Sequence, residues 1–332
     1  MTQKEIAAML NISPATVCLA LANSQRIKQE TRNAVQKLAK NVNYRRNLAG
    51  RMLQKNKSFS VGIIFPSISH IFFGELQETI HHKILSRDYL AFFISAPEAS
   101  EKKKAVESMI ERNVDGVIAF NSDFELLKPL VDNDIPLMLY GGNSSPVKTA
   151  KIKHVQLDRF EAGFCITSHL LKNGYRKIAY GGTLNLEEAR CLGYKSALMQ
   201  AGIELDENLA TGSENDLESS YNGMLKLLES ERPDAVIAHN DTTAIGVIRA
   251  VIDSGLKVPD DIAVAGFDNI NTAQYLPVSL TTMGHNKEQT AEYLVDGLFD
   301  MINGDGSATP DMIMLKYELI VRESSGTKKI TI

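Results

Sequence analysis

From residue 59 onward the chain alternates short apolar runs with longer amphipathic stretches, and it does so in two successive sets. The first set is "SVGIIF" (60–65), "YLAFFIS" (89–95), "DGVIAF" (115–120) and "PLMLYG" (136–141). After "HVQLD" (154–158) the theme restarts with "KIAYGG" (177–182), "AVIAHN" (235–240), "IAVAGFD" (262–268) and "LTTMG" (280–284). Apolar runs of this kind, separated by helix-length segments, predict buried parallel strands covered by helices on both faces. Two sets predict two lobes, with a ligand cleft between them at the carboxyl ends of the strands. At 332 residues the chain is too long for one ordinary core, so two or three domains are expected.

The residues before this body are built differently. Residues 1–57 carry eleven Lys and Arg against Glu5 and Glu30, a charge of +9, while the remaining 275 residues carry −13, giving the net −4. Charge concentrated in one segment of an otherwise acidic chain points to a nucleic-acid-binding arm. Thr2 and Glu5 have capping-box spacing, followed by Ile6 and Leu10 at i, i+4. Ser13–Pro14 restarts a helix with an N-cap and a proline at the first position, and Val17 and Leu21 repeat the apolar spacing. A third helix over about 30–42 offers Val35, Leu38, Ala39 and Val42. Three short helices around one small core have the layout of a helix-turn-helix.

Several function classes are excluded or disfavoured. No run approaches the ~18 apolar residues of a membrane span, and "MTQKEIAAML" lacks the apolar stretch of a signal peptide. Cys18, Cys165 and Cys191 are odd in number and far apart, which predicts a reducing cytoplasm without disulfides or zinc. His70, His81, His82 and His169 show no ligand spacing and are expected to be surface or structural, so no metal or cofactor is expected. No GxGxxG, Walker A, G-x-S-x-G or H-E-x-x-H occurs, so binding is favoured over enzymatic turnover. A plain solute-binding protein is the alternative, and the basic head argues against it.

The head "KEIAAMLNISPATVCLALANSQRIKQETRNAVQKLAKNVNYRRN" resembles the DNA-binding head of the lactose-repressor/galactose-repressor family through Glu5-Ile6-Ala7, Ile12-Ser13, Thr16-Val17, Leu21, Glu30-Thr31-Arg32, Val35 and Tyr44. The resemblance continues through "VGIIFPSISHIFFGEL", "HVQLDRFEAGFCITSHLLKNGYRKIAYGG", "EEARCLGYKSAL", "VPDDIAVAGFDN…LTTM" and "ELIVRESSG", and so covers nearly the whole chain. It implies a small all-α head joined to an α/β two-lobed body like a type 1 periplasmic binding protein, with parallel sheets and three crossovers. The expected domains are a head at 1–43, a hinge at 44–58 and a body at 59–332. Within the body, one lobe takes about 59–158 and 286–314, the other about 159–285 and 315–332. No tetramerising heptad follows "LIVRESSG", so a homodimer is expected.

By the same resemblance the second helix enters the major groove with Pro14, Ala15 and Leu19 facing base edges, while Ser13, Thr16 and Asn23 hold phosphates. The segment "YRRNLAGRMLQK" matches the family's hinge helix, with Leu53 as the minor-groove wedge and Asn47, Ala49 and Arg51 in the matching frame. Arg46 replaces the proline that usually opens the hinge, Gly50 weakens it, and Cys18 replaces a family serine. For the effector, Arg190, Asp268, the pair Asn240–Asp241 and the aromatic wall Phe72–Phe73 match the family's ligand-binding positions, with Asp158 at a lobe crossover. Phe72 and Phe73 are open to a core role as well, and Asp241 to an N-cap. Asn215 falls where a second aromatic wall is placed in the family. The implied function is a ligand-controlled transcription regulator, most often a repressor of a sugar or related metabolic operon, binding palindromic double-stranded DNA.

Overall fold

The structure, a computed structural model, describes residues 1–21, 23–44, 50, 52, 55–67, 70–142, 150–213, 216–304 and 309–326. It divides into two compact units, Met1–Lys57 and Ser58–Ile332.

The head consists of α1 (Gln3–Met9), α2 (Pro14–Leu21) and α3 (Gln29–Asn41). The capping box forms in both directions: Thr2 Oγ1 accepts from Glu5 N at 3.3 Å, and the Glu5 carboxylate accepts from Thr2 N at 2.9 Å. Ser13 Oγ accepts from Thr16 N at 3.0 Å at the start of α2. Ile6, Ala7, Val17, Ala20, Val35 and Ala39 close the core, with Leu10, Leu21 and Leu38 packed against it. Val42, expected on the buried face, is instead the C-cap of α3 and lies outside that core. A buried cation supports the turn between α2 and α3. Arg32, 5% exposed, donates to Ile27 O at 3.1 Å and to Asn23 Oδ1 at 3.3 Å. Asn23 has left-handed backbone (φ 56), which asparagine adopts more readily than most residues.

The body begins with β1 (Ser60–Phe65), α4 (Ile71–Leu85), β2 (Leu90–Ser95), α5 (Ala99–Glu111), β3 (Gly116–Phe120), α6 (Phe124–Asp132), β4 (Leu137–Tyr140) and β5 (Ile152–Leu157). It continues with α7 (Arg159–Lys172), β6 (Ile178–Gly181), α8 (Ala189–Gln200), α9 (Leu217–Ser230), β7 (Ala235–Ala238), α10 (Asp241–Asp253), β8 (Ala263–Phe267) and β9 (Thr281–Gly284). The last elements are α11 (Lys287–Asn303), β10 (Met312–Leu315) and β11 (Glu318–Ile320).

One sheet has the order β10-β5-β4-β3-β1-β2 and is parallel throughout; the other is β11-β9-β8-β7-β6. The chain changes sheet three times: between β5 and β6, between β9 and β10, and between β10 and β11. The expectation of parallel sheets needs one correction, because β11 pairs antiparallel with β9. It enters from the carboxyl end of β10, where the two sheets face each other, and so runs back against β9. Strands β1, β3 and β4 are buried along their whole length, as central strands covered on both faces must be.

Both sheets tie their first strand down in the same way. Asp115, ahead of β3, accepts from Ser58 N at 2.8 Å and Phe59 N at 3.0 Å. Asp234, ahead of β7, accepts from Arg176 N at 2.9 Å and Lys177 N at 3.0 Å. Each carboxylate supplies acceptors that the strand entry would otherwise lack. No single described helix is long and apolar enough to cross a membrane.

Candidate functional site

A cavity of about 720 Å³ lies in the body where the carboxyl ends of the two sheets meet. Ser67 after β1, Asn121 after β3 and Tyr140 at the end of β4 line it from the first sheet, and Arg159 lines it from the crossover that follows β5. His239 and Asn240 after β7 and Asp268 after β8 line it from the second. Such strand ends leave backbone groups and short loops open to a ligand.

Arg190 reaches this cavity from the first turn of α8 and is 8% exposed. Its position depends on two glycines that let α8 lie directly on α7. A Cβ on Gly163 would stand 2.2 Å from Arg190 O, and one on Gly193 2.2 Å from Phe160 O. Arg190 Nη1 donates to His239 O at 2.8 Å and Nη2 to the Tyr317 hydroxyl at 3.3 Å, while Asp268 Oδ1 lies 3.7 Å away. The guanidinium also sits 4.6 Å over the Phe267 ring. Burial works against its charge, but Tyr317, Asp268 and Glu188 together outweigh burial and raise its pKa further. Asp268 is 7% exposed in left-handed backbone (φ 102), a conformation costly for a residue with a side chain and found at sites where geometry is imposed.

His70 and His239 line the cavity and His285 lies behind Tyr140, and burial favours the neutral form of all three. Burial, with Arg190, Arg159 and His70 adding to it, pushes His239 down to about 3. Burial likewise lowers His285 to about 4, against the opposing pull of Asp268. His70 is lowered by burial first, and its Nε2 lies 3.3 Å from the Asn240 amide nitrogen. The proton on His285 follows from its neighbours. Thr290 Oγ1 donates to Asn286 O at 2.8 Å, so His285 Nδ1–H donates to Thr290 Oγ1 at 3.0 Å. Nε2 is then the acceptor for the Tyr140 hydroxyl at 2.8 Å, whose own pKa burial raises.

The structure sorts the expected effector residues. Phe72, Phe73, Arg190, Asn240 and Asp268 all line the cavity. Phe72 and Phe73 also belong to an aromatic cluster: Phe72 meets His285 at 5.5 Å between centroids, and Phe73 meets Phe120 at 5.7 Å. Two residues need correction. Asp241 is fully buried and does not line the cavity, its carboxylate accepting from Ile270 N at 2.9 Å and Thr282 Oγ1 at 2.6 Å. Burial, reinforced by the charge of Asp268, pushes its pKa up to about 8. The N-cap of α10 is Asn240, whose Oδ1 accepts from Thr243 N at 2.8 Å. Asp158 caps α7 by accepting from Glu161 N at 3.0 Å and does not line the cavity. Asn215 lies outside the described residues.

Residues not anticipated include His70, read from sequence as surface or structural, and Asn121, Tyr140, Arg159, His239 and Tyr317. Asn121 and His239 directly follow apolar strands, a position that flags ligand contact in this architecture. Arg159 and Tyr317 carry no such signal.

On the head, Ser13, Pro14, Ala15 and Leu19 are exposed along α2, and Thr16 is half-buried. Ser13 and Thr16 hydroxyls lie 2.9 Å apart, and Asn23 is exposed while holding Arg32. Asn47, Ala49, Arg51 and Leu53 lie outside the described residues.

Comparison with known proteins gives concordant results. Residues 2–47 match the model for bacterial regulatory proteins of the lacI family, and residues 167–325 match a periplasmic binding protein-like domain. The NTD biosynthesis operon regulator NtdR of Bacillus subtilis (strain 168) is 28% identical, covering 98% of this chain and 99% of that protein. The HTH-type transcriptional repressor CytR of Escherichia coli (strain K12) is also 28% identical, covering 98% and 96%. Among solved structures, the lac repressor dimer bound to operator and the anti-inducer ONPF superposes with a TM-score of 0.82, covering 98% of this chain and 99% of that one. Its 20% identity speaks for the fold. With head and body matched along one chain, the protein belongs to the lacI family of bacterial regulatory proteins and is a ligand-responsive, DNA-binding transcription regulator.

Proposed function

We propose that this regulator is a cytoplasmic repressor of a sugar or related metabolic operon, binding a palindromic operator as a homodimer and sensing a small polar effector in the body cavity. The observation that carries this reading is the buried Arg190–Asp268 pair, 3.7 Å apart in a cavity between two sheets, on the same chain as a helix-turn-helix. A guanidinium beside a carboxylate supplies both donors and acceptors for a hydroxyl-rich molecule. Phe72 and Phe73 supply an apolar wall, and Asn240 a neighbouring amide. The regulators NtdR and CytR, similar along nearly the whole chain, support a regulatory rather than an enzymatic role.

On DNA, the exposed Pro14, Ala15 and Leu19 of α2 meet base edges, largely through apolar contact, and Ser13, Thr16 and Asn23 meet phosphates. The hinge over 44–58 couples head to body, with Leu53 as wedge and Asn47, Ala49 and Arg51 beside it. Selection of duplexes from a random pool by the full chain, followed by anisotropy titration of the enriched site, tests this. A two-fold symmetric site bound by a dimer, and bound much more weakly by Leu53→Ala, is expected. Failure to enrich any sequence above bulk DNA would remove the operator reading.

A further inference from the structure

Arg159 opens α7 at the crossover that follows β5, and its side chain lines the cavity against the strand ends of the first sheet. Its Nη2 donates to Asn121 Oδ1 at 2.6 Å. Asn121 follows β3 in left-handed backbone (φ 44), and Gly141 follows β4 with φ 63. Gly141 leaves the space that both side chains fill, since a Cβ there would lie 2.5 Å from Asn121 Oδ1 and 2.8 Å from Arg159 Nη2. Three strand ends thus cooperate to present one guanidinium.

Among the described residues that guanidinium has no counter-charge. Arg190 has Asp268 at 3.7 Å, whereas Arg159 has no carboxylate within 4.0 Å among the described residues. The other acids of the cavity are engaged at helix starts: Glu188 accepts from Cys191 N at 3.1 Å and Asp216 from Ser219 N at 2.9 Å. There the helix dipoles offset their charge. The buried, unpartnered nitrogens of the cavity-lining residues are His70 Nδ1, Arg159 Nε and Arg190 Nε. With His70 neutral and its Nε2 accepting from Asn240, all three are N–H donors. Positive field also reaches across the cavity, where Arg190 and Arg159 reinforce burial in keeping His239 unprotonated. A partly buried cation facing only a neutral amide oxygen is costly until an opposite charge meets it.

We propose that the cavity takes an anionic effector, a small polyhydroxylated molecule whose carboxylate or phosphate lies on Arg159. The inference rests on the cavity being the effector site. A planar fork of donors suits either oxyanion, and about 720 Å³ accommodates a sugar-sized molecule.

The test is a thermal-shift and calorimetric comparison on the full chain at fixed ionic strength. The probes are hexuronates and aldonates, hexose monophosphates, and their neutral parent sugars. Stabilisation by a member of one anionic set, but not by its neutral parent, is expected, and the set that responds identifies the oxyanion. Arg159→Gln should weaken that binding about 10- to 100-fold. Arg159→Lys, which keeps the charge, should retain the preference for the anion even if the glutamine variant folds poorly. Neutral parents binding as tightly as the anions, or Arg159→Gln binding the anion as the wild type does, would overturn the proposal while leaving the cavity an effector site. No response to any probe of either kind would overturn both.

Discussion

Asp241 offers a quantitative test of the difference between a ligand-binding acid and a structural one. Its side chain is fully buried, accepts from Ile270 N and Thr282 Oγ1, and lies against Gly266, where a Cβ would come within 2.5 Å of Oδ1. Burial, helped by Asp268, raises its pKa from 3.8 to about 8. Between those values the folded chain holds a proton that the unfolded chain has released. The folded state therefore binds more protons across this window, and stability falls as pH rises through it. At ~1.4 kcal/mol per unit, the shift sets a ceiling of roughly 6 kcal/mol, with local relaxation reducing what is measured.

Asp241→Asn keeps the shape and the acceptor for Ile270 N but removes the titration. Its stability relative to wild type should therefore increase with rising pH, by about 1 kcal/mol per unit between pH 5 and 8. Urea titrations at several pH values measure this by far-ultraviolet circular dichroism, the suitable probe because the chain has no tryptophan. A difference that stays constant with pH would refute the reasoning, since it would mean that the carboxyl titrates alike in both states. The same variant should keep the effector response of wild type; loss of that response in a folded, DNA-binding protein would return Asp241 to the ligand site.

Gly193→Ala drives a Cβ toward Phe160 O and should part α7 from α8, lowering stability by about 1–3 kcal/mol and blunting the effector response, as read by calorimetry. Arg32→Ala leaves Ile27 O and Asn23 Oδ1 without their donor and should cost the head about 1–3 kcal/mol, seen as faster amide exchange in residues 1–44 with the body unchanged. His239 and His285, depressed to about 3 and about 4, should stay neutral at pH 5, and their imidazole resonances should not move between pH 7 and 5. Because the unfolded chain takes up those protons below pH ~6.5, each histidine contributes stability above that pH and loses it on acidification, opposite in sign to Asp241.

The central strands were legible because a buried parallel strand must be apolar on both faces, which makes "SVGIIF" or "DGVIAF" visible without context. Strands β10 and β11 were not, being four and three residues long, largely uncovered, and defined by a partner far away in sequence. Within the site, Arg190 and Asp268 were found through motif resemblance. Asp241 was misplaced because an N-cap pair "ND" does not say whether its amide or its acid lines the cavity. Packing decides that: Asn240 caps the helix while the next side chain turns into the space left by Gly266. Arg159 escaped because nothing local marks it, and its role arises only where β3, β4 and β5 end side by side.

How a ligand changes the protein's state follows from the few polar contacts that join the two halves of the body. His70 meets Asn240 at 3.3 Å, Glu75 on α4 accepts from Asn271 N at 2.8 Å, Lys287 Nζ on α11 donates to Asn269 O at 2.5 Å, and Tyr140 donates to His285 at 2.8 Å. Each such bond is worth only about 1 kcal/mol net, so the arrangement of the halves is held lightly enough for a ligand to bias it. A ligand biases an equilibrium only by contacts that differ between its states, and couplings of about 1–3 kcal/mol are typical. Arg159 stands on α7, which packs with the second sheet, while its guanidinium is held by Asn121 at the end of β3 in the first; Arg190 and Asp268 belong to the second. A molecule that needs all three is bound fully only when both sides face it at one spacing. On the proposal made above, the residues that select the effector are also the residues that make its binding depend on the separation of the halves.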